Sequence, residues 1–202
     1  MQEKVERRSN ADRSAAMRER LLAAARGLFV ARGFADTSTP AVVAAAGVTR
    51  GALYHHFADK AALFAAVLER EAEAVAEEIE GVDRPDASPL DRLLDGAGAY
   101  LTAMRAEGRA GLLLVQGPAV LGPEAMRSIE ARHGEAALRK GLEDAVASGA
   151  MPALPLDALV PLLGALFDRA AIEAARGADG GDLLGCVRAV IMGLSTAPPA
   201  RS

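Results

Sequence analysis

The sequence predicts an all-α protein built from amphipathic helices. Of its 202 residues, 51% are apolar but only 3% are aromatic and none is Trp, so the core is built mainly from Ala, Leu and Val. Apolar residues recur at spacings of three and four along most of the chain, which is the period of a helix. No stretch combines alternating polarity with hairpin turns, and no segment repeats at a fixed interval.

The first predicted helix covers residues 14–32, where leucines and alanines alternate with arginines at helical spacing. Gly33 is its expected stop. A short second helix is predicted at 40–46, because Thr37, Ser38 and Thr39 are cap candidates and Pro40 suits a first helical position. The chain thus turns sharply soon after its first helix.

Gly47 ends the second helix, and Thr49 can cap a third whose Leu53 and Phe57 lie on one face. Two short helices joined by a glycine turn form a helix-turn-helix. Asp59 then caps a long helix that reaches residue 80, with a loop at 81–89. Further helices are predicted at 90–105, 110–120, 123–148, 156–176 and 182–194.

Charge is distributed unevenly along the chain. Residues 1–60 carry 10 Lys and Arg against 6 Asp and Glu, whereas residues 61–202 carry 13 against 21. A basic N-terminal segment can approach a polyanion while an acidic remainder repels phosphate. This polarity favours a nucleic-acid binder although the whole chain has a net charge of −4.

Cys186 is the only cysteine, so no intramolecular disulfide forms and a reducing cytoplasm is expected. We interpret it as a small packing residue, with a redox sensor as the alternative. The charged N-terminus is not a signal peptide, and no stretch is apolar for long enough to span a membrane. No catalytic motif is found, so we expect no enzyme, no metal and no cofactor.

The third helix exposes a small, polar surface. With Leu53 and Phe57 on the core face, Gly51 and His55 point away from the core, and Arg50 and Tyr54 lie on one flank. Arg50 suits a bidentate contact to guanine, Thr49 a hydrogen bond to the DNA backbone or to a base edge, and Tyr54 a hydrogen bond to phosphate. A metal bound by the adjacent pair of histidines is disfavoured, because neighbouring positions on a helix diverge by about 100°.

Residues 13–68, and above all STPAVVAAAGVTRGALYHHFADKAALF, resemble the DNA-binding domain of the tetracycline-repressor (TetR) family. The resemblance implies a homodimer whose C-terminal helices bind a small molecule and which then leaves its operator. It also implies DNA-facing roles, which fall on Thr39, Arg50, Gly51, Tyr54, His55 and Lys60. Pro40 departs from the polar or basic residue common in relatives. Residues 112–134 more weakly resemble a ligand-domain pattern of some members.

Candidate ligand-binding residues in the C-terminal helices are Tyr100, Met104, Gln116, His133 and Phe167. The composition of these helices favours a pocket lined by Leu, Met and Val with few aromatic residues, which suits an apolar molecule. For Gln116 and His133, polar residues in otherwise apolar helices, an ordinary hydrogen-bonded role in the core or on the surface is the alternative.

We therefore predict a helix-turn-helix domain at residues 1–58, with a flexible arm at 1–12. An effector-binding and dimerisation domain follows at 59–196, and a disordered tail at 197–202. The predicted function is a ligand-responsive transcriptional regulator, a repressor, that binds double-stranded palindromic DNA as a homodimer joined through 156–176 and 182–194. The alternatives are a constitutive or architectural DNA-binding protein without an effector, and a small all-α enzyme.

Overall fold

The first part of the chain is a bundle of three helices completed by the start of a fourth. The computed structural model describes residues 10–195 and divides into two compact units between Val67 and Leu68. In the first unit α1 spans Asn10–Asp36, α2 Thr39–Ala46 and α3 Arg50–His56, and α4 begins at Lys60. All four helices were predicted from the sequence.

Glycine interrupts α1 where the sequence predicted its end. Gly33 has φ 77° and ψ 170°, a conformation that residues with a Cβ adopt only under strain. Thr37 donates its hydroxyl to the carbonyls of Gly33 and Leu28, at 2.7 and 3.2 Å. Ser38 is the N-cap of α2 and accepts the Ala41 N–H at 3.3 Å. Of the three predicted cap candidates, Ser38 thus caps α2 and Thr37 closes the preceding turn.

The predicted flexible arm at 1–12 is wrong for its last three residues. The structure places Asn10–Asp36 in one helix up to the interruption, so α1 starts about a turn earlier than its apolar pattern indicated. Polar residues at a helix start are solvated and leave no periodic signal. Residues 1–9 lie outside the described part of the chain, and so does the predicted tail at 197–202.

The turn between α2 and α3 is fixed by Gly47 and by an arginine from α1. Gly47 has φ 61° and ψ 42°, and its N–H bonds back to Ala44 and Val43. Arg20 donates Nη2 to the carbonyls of Ala46 and Gly47 at 2.6 and 3.0 Å. These carbonyls are the free acceptors at the end of α2. Arg20 therefore holds the turn that orients α3.

The core of the first unit includes the beginning of α4. Phe29 of α1 meets Phe64 of α4 edge to face, with ring centroids 4.9 Å apart, and Val67 is buried. The other buried apolar residues are Leu21, Leu22, Ala25, Val42, Ala46, Leu53, Phe57 and Leu63. The first two turns of α4 complete this core, which explains why the units divide inside α4 and not at the boundary of 58 and 59 expected from the sequence.

The second unit contains the rest of α4 and the remaining helices. After Glu80, the end of α4, it comprises α5 at Pro89–Ala103, a π-helical segment at Gly111–Gln116, α6 at Gly117–Leu121, α7 at Pro123–His133, α8 at Glu135–Ala147, α9 at Leu156–Ala175 and α10 at Gly180–Gly193. Helix α5 packs against α8, α9 and α10. Between residues 10 and 195 no strand is formed, and no helix is both long and apolar enough to cross a bilayer.

Two helices predicted as continuous are divided. The predicted helix at 110–120 contains the π-helical segment, in which the Gly117 N–H bonds to the carbonyl of Leu112, five residues back. The predicted helix at 123–148 ends at Gly134 and restarts as α8. Glycine weakens a helix by only about 1 kcal/mol, so packing of α7 and α8 on different neighbours decides this break.

Gly117 allows the backbone after the π-helical segment to lie close to Met126 and Leu68. A Cβ at this position would lie 2.8 Å from the Met126 sulfur and 3.0 Å from Leu68 Cδ1. Both neighbours are themselves buried, so they have little room to move. Glycine thus allows α6 to lie directly on α4 and α7.

A buried arginine joins α4 to the segment after α5. Arg109 donates Nε to Glu71 at 3.0 Å and Nη1 to both Glu78 and the Ala103 carbonyl, at 2.8 and 2.7 Å. The side chains of Arg109 and Glu71 are only 9% and 7% exposed. A buried charge is tolerated when it is paired and hydrogen-bonded. This cluster therefore fixes α4 within the second unit.

Candidate nucleic-acid interface and ligand cavity

Helix α3 turns one apolar face inward and one polar face to solvent. Leu53 is fully buried and Phe57 is 5% exposed, so two apolar side chains anchor a helix of seven residues. Burying such side chains contributes roughly 1.5–3 kcal/mol each. The predicted DNA-facing residues Thr49, Arg50, Gly51, Tyr54 and His55 are all exposed, and Thr39 is half-buried. These residues of the predicted set are thus at least partly accessible.

Thr49 is the N-cap of α3. Its Oγ1 accepts the N–H of Ala52 at 3.2 Å, which satisfies one of the free donors of the first turn. The hydroxyl keeps its own hydrogen for a further acceptor. Thr49 therefore combines the structural role of a cap with an exposed donor at the start of α3.

Three side chains meet between α2 and α3. The hydroxyls of Thr39 and Tyr54 are 3.5 Å apart, and the Arg50 guanidinium carbon lies 5.5 Å from the centre of the Tyr54 ring. Hydrogen bonds from Thr39 and Arg50 lower the pKa of the Tyr54 phenol below its usual value. The phenol oxygen therefore lies in a positive environment, and Arg50 is held beside it.

The adjacent rings of His55 and His56 diverge on α3. Their rings are 5.3 Å apart and inclined by 70°, and among residues 10–195 no group of three potential metal ligands occurs. His55 is exposed and His56 is half-buried. The two histidines thus face different surroundings, as the helical geometry predicted.

The structure gives Lys60 a different role from the expected phosphate contact. Its Nζ lies 2.8, 3.4 and 3.0 Å from the carbonyl oxygens of Phe34, Ala35 and Thr37, and 4.1 Å from the centre of the Phe34 ring. An ammonium group has three donors. Since all three have acceptors at or just beyond the end of α1, we expect Lys60 to stabilise the first unit rather than to contact phosphate.

The second unit encloses a cavity of about 850 Å³. Its walls come from α4, α5, the π-helical segment, α7, α8 and α9, and the apolar part includes Ile79, Leu93 and Met126. Four of the five predicted ligand-binding residues line it: Tyr100, Met104, His133 and Phe167. Gln116, the fifth, is not among the lining residues described.

A tyrosine and two carboxyl groups form the polar wall of the cavity. The Tyr100 hydroxyl donates to Asp168 at 2.5 Å. Burial raises the pKa of Tyr100, and the neighbouring Asp168 raises it further. Burial also raises the pKa of Asp168, although the Tyr100 hydrogen bond opposes this. Burial and then the charge of Asp168 raise the pKa of Glu130. The wall thus holds two carboxyl groups that repel each other.

His133 connects the cavity to α4. Its Nε2 lies 2.8 Å from Glu69 Oε2, and Arg132 hydrogen-bonds the other oxygen of the same carboxylate. Burial raises the pKa of Glu69, but the hydrogen bonds from Arg132 and His133 outweigh it and leave that pKa below its usual value. The end of α7 is therefore attached to α4 beside the cavity.

Sequence reasoning missed Arg20, Arg109, Glu130 and Asp168. The contacts of the two arginines span 26 to 38 residues, so no local pattern reports them. Asp168 left a signal, because it is a charged residue within the apolar stretch LLGALFDRAAI of α9. A carboxyl group in such a position faces either solvent at a helix surface or a polar wall inside.

An exposed helix-turn-helix followed by a larger helical domain is the arrangement of a class of transcriptional regulators. Residues 21–67 match the family described as "Bacterial regulatory proteins, tetR family", and residues 90–196 match "Tetracyclin repressor-like, C-terminal domain". The second match alone covers more than half of the chain. The chain belongs to the TetR family.

Individual relatives agree with this assignment. A TetR-family transcriptional regulator from Pectobacterium atrosepticum is 30% identical, with 95% of this chain and 100% of that chain covered and a TM-score of 0.73. The HTH-type transcriptional repressor BepR of Brucella suis is 41% identical over 64 residues, which is 32% of this chain and 30% of BepR. RolR in complex with resorcinol shares the fold at 20% identity, with 95% and 93% coverage and a TM-score of 0.71.

The chain spans less than half the length of the curated relatives it matches. These relatives are named as regulators or receptors and not as enzymes.

Proposed function

We propose that the protein is a repressor that binds a palindromic operator as a homodimer and leaves it when a small molecule enters the cavity of the second unit. The exposed face of α3 carries the DNA-binding part of this proposal, because its polar side chains stand on a helix anchored by Leu53 and Phe57. Repression is supported by the similarity to BepR, which is described as a repressor. The site of action is the cytoplasm, where the DNA of a bacterial cell lies.

The side chains of this face suit different contacts. Arg50 presents a planar guanidinium that matches guanine O6 and N7 in the major groove. Thr39, Thr49, Tyr54 and His55 supply hydrogen-bond donors for phosphate, which position a protein without reading sequence. Gly51 adds no side chain between α3 and the bases. Arg50 is therefore the residue proposed to read sequence.

Dimerisation is proposed through α9 and α10. Leu162 on α9 is 67% exposed, and Val190 and Met192 on α10 are 46% and 40% exposed. Large apolar side chains exposed together on the last two helices are typical of a protein interface. A two-fold dimer presents two copies of α3 to half-sites about 34 Å apart.

The cavity supports the effector part of the proposal. Its volume of about 850 Å³ lies within the range of roughly 300–1,000 Å³ typical of small-molecule sites. RolR, which has the same fold, is described in complex with resorcinol. A constitutive regulator has no need of such a cavity. The cavity therefore favours a ligand-responsive regulator over the constitutive alternative.

Helix α4 is the proposed route from the cavity to DNA. Glu69 is bound by His133 at the cavity and Glu71 by Arg109, while the first turns of the same helix complete the core beneath α3. A ligand that displaces α7 acts on Glu69 and therefore on the position of α4. A shift of a few ångströms in the spacing of two α3 copies prevents both from entering successive major grooves.

The test is selection of DNA by the full-length protein from a random library, followed by sequencing. The expected result is a palindrome whose half-sites are centred about 10 base pairs, or a multiple of that, apart. The variant Arg50→Ala should lose preference at one base pair in each half-site. Enrichment of single half-sites would contradict the dimer, and no enrichment would contradict the DNA-binding proposal as a whole.

A further inference from the structure

The charge distribution around the cavity restricts the chemistry of its ligand. The apolar lining residues, such as Ile79, Leu93 and Phe167, contribute no charge. The charged residues on the walls therefore decide which sign of charge the ligand can carry. The cavity is lined by six acidic residues, Glu80, Asp83, Glu130, Glu135, Asp144 and Asp168, and by the basic residues Arg92, Arg127, Arg132 and Lys140, with His133. Acidic groups are thus in excess on this surface.

Most of the basic groups are already neutralised by ion pairs. Arg92 bonds Asp83 at 2.7 Å, Lys140 lies 3.3 Å from Asp144, and Arg132 pairs with Glu69. His133 shares the same Glu69 carboxylate at 2.8 Å. These groups have carboxylate partners and do not require an anionic ligand.

Asp168 and Glu130 lack such neutralisation. Across residues 10–195, neither carboxyl group has a Lys or Arg within ion-pair distance, and the hydrogen bond of Asp168 comes from the neutral Tyr100 hydroxyl. Arg127, one helical turn before Glu130, favours the ionised form of that carboxyl, but burial and the charge of Asp168 oppose it more strongly. Both carboxyl groups line the same cavity, so in their ionised forms they give it a negative potential.

We infer that the effector is an organic cation, an apolar molecule whose positive charge is received by Asp168 and Glu130. This inference rests on the proposed effector role of the cavity. A cation in the cavity that both groups line favours their ionised forms, whereas an anion disfavours them. The ring of Phe167, 6.1 Å from that of Tyr100, adds an aromatic face, which also attracts cations.

Two probes of nearly equal size and opposite charge test the inference: tetraphenylphosphonium and tetraphenylborate. Isothermal titration of the full-length protein should give a Kd for the phosphonium at least about tenfold lower than for the borate, as expected for a charge within a few ångströms of a partly buried carboxylate. The double variant Asp168→Asn/Glu130→Gln should lose that preference. Glu173→Gln, which removes a charge from the same helix outside the cavity, should keep it.

Stronger binding of the borate, a preference unchanged in the double variant, or no binding of the phosphonium would each overturn the cation inference. The DNA selection is independent of these titrations. A palindromic operator found together with any of these results would therefore leave the proposed repressor function standing, while failure of the selection would refute that function whatever the probes do.

Discussion

Replacing Arg109 tests whether α4 is held by a buried ion pair. Arg109→Met removes the guanidinium that neutralises Glu71 and donates to the Ala103 carbonyl, while it keeps most of the apolar volume of the side chain. Because both charged side chains are less than 10% exposed, we expect the loss typical of breaking a buried pair, about 3–5 kcal/mol. Domains are stable by only about 5–15 kcal/mol, so this is a large fraction.

The structure also predicts how related variants differ. Glu78 is 49% exposed, so Glu78→Gln should lower the free energy of unfolding by at most about 1 kcal/mol. The double variant Arg109→Met/Glu71→Leu removes both buried charges and should recover most of the loss. The second substitution is therefore expected to stabilise a protein that the first destabilises.

The assay is urea unfolding followed by circular dichroism at one fixed protein concentration, because the proposed dimerisation would make stability depend on concentration. If the free energy of unfolding falls with urea concentration at the same slope in all variants, they unfold between comparable states. The reasoning would be refuted if Arg109→Met were no more destabilising than Glu78→Gln. It would also be refuted if the double variant were as unstable as Arg109→Met alone.

Three further predictions concern the two candidate sites. Arg50→Ala should weaken operator binding by about 1–3 kcal/mol, measured by mobility shift on matched and mismatched operators; equal losses on all sequences would exclude base recognition. Lys60→Met should lower the free energy of unfolding by about 1.5 kcal/mol through the lost charged hydrogen bonds, and leave the salt dependence of DNA binding unchanged. If the slope of log affinity against log salt concentration fell by about one unit instead, Lys60 would contact phosphate. Asp168→Asn should raise the melting temperature at pH 8 but not at pH 3. Burial raises the pKa of Asp168 above its ordinary value of 3.8, so the wild type loses stability as pH rises from that value through the raised pKa. Equal melting temperatures of both proteins at pH 8 would count against this.

The first unit was predictable because its boundaries are local. Ser38, Gly47, Thr49 and Asp59 act within four residues of themselves, and such signals are visible in the sequence. The inward face of α3 followed from the spacing of Leu53 and Phe57 alone. Short-range chemistry therefore specified both the helix-turn-helix and the surface proposed to meet DNA.

The cavity was less predictable because it depends on contacts between distant segments. Tyr100 and Asp168 are 68 residues apart, and Glu69 and His133 are 64 apart. Four candidate ligand residues were found because they are aromatic, sulfur-containing or polar in apolar helices. The hydrogen bonds of Lys60 left no such signal, because the carbonyl groups that bind it are backbone atoms, which every sequence contains.

The π-helical segment at Gly111–Gln116 also constrains how this protein can change by insertion or deletion. Removing one residue there would allow an ordinary helix, but it would rotate everything that follows by about 100°. Gly117 would then no longer face Leu68 and Met126, and a residue with a side chain would meet them instead. The π-helical turn thus sets the rotation of α6 about its axis. Homologous chains that keep this contact should therefore have their insertions and deletions outside this segment.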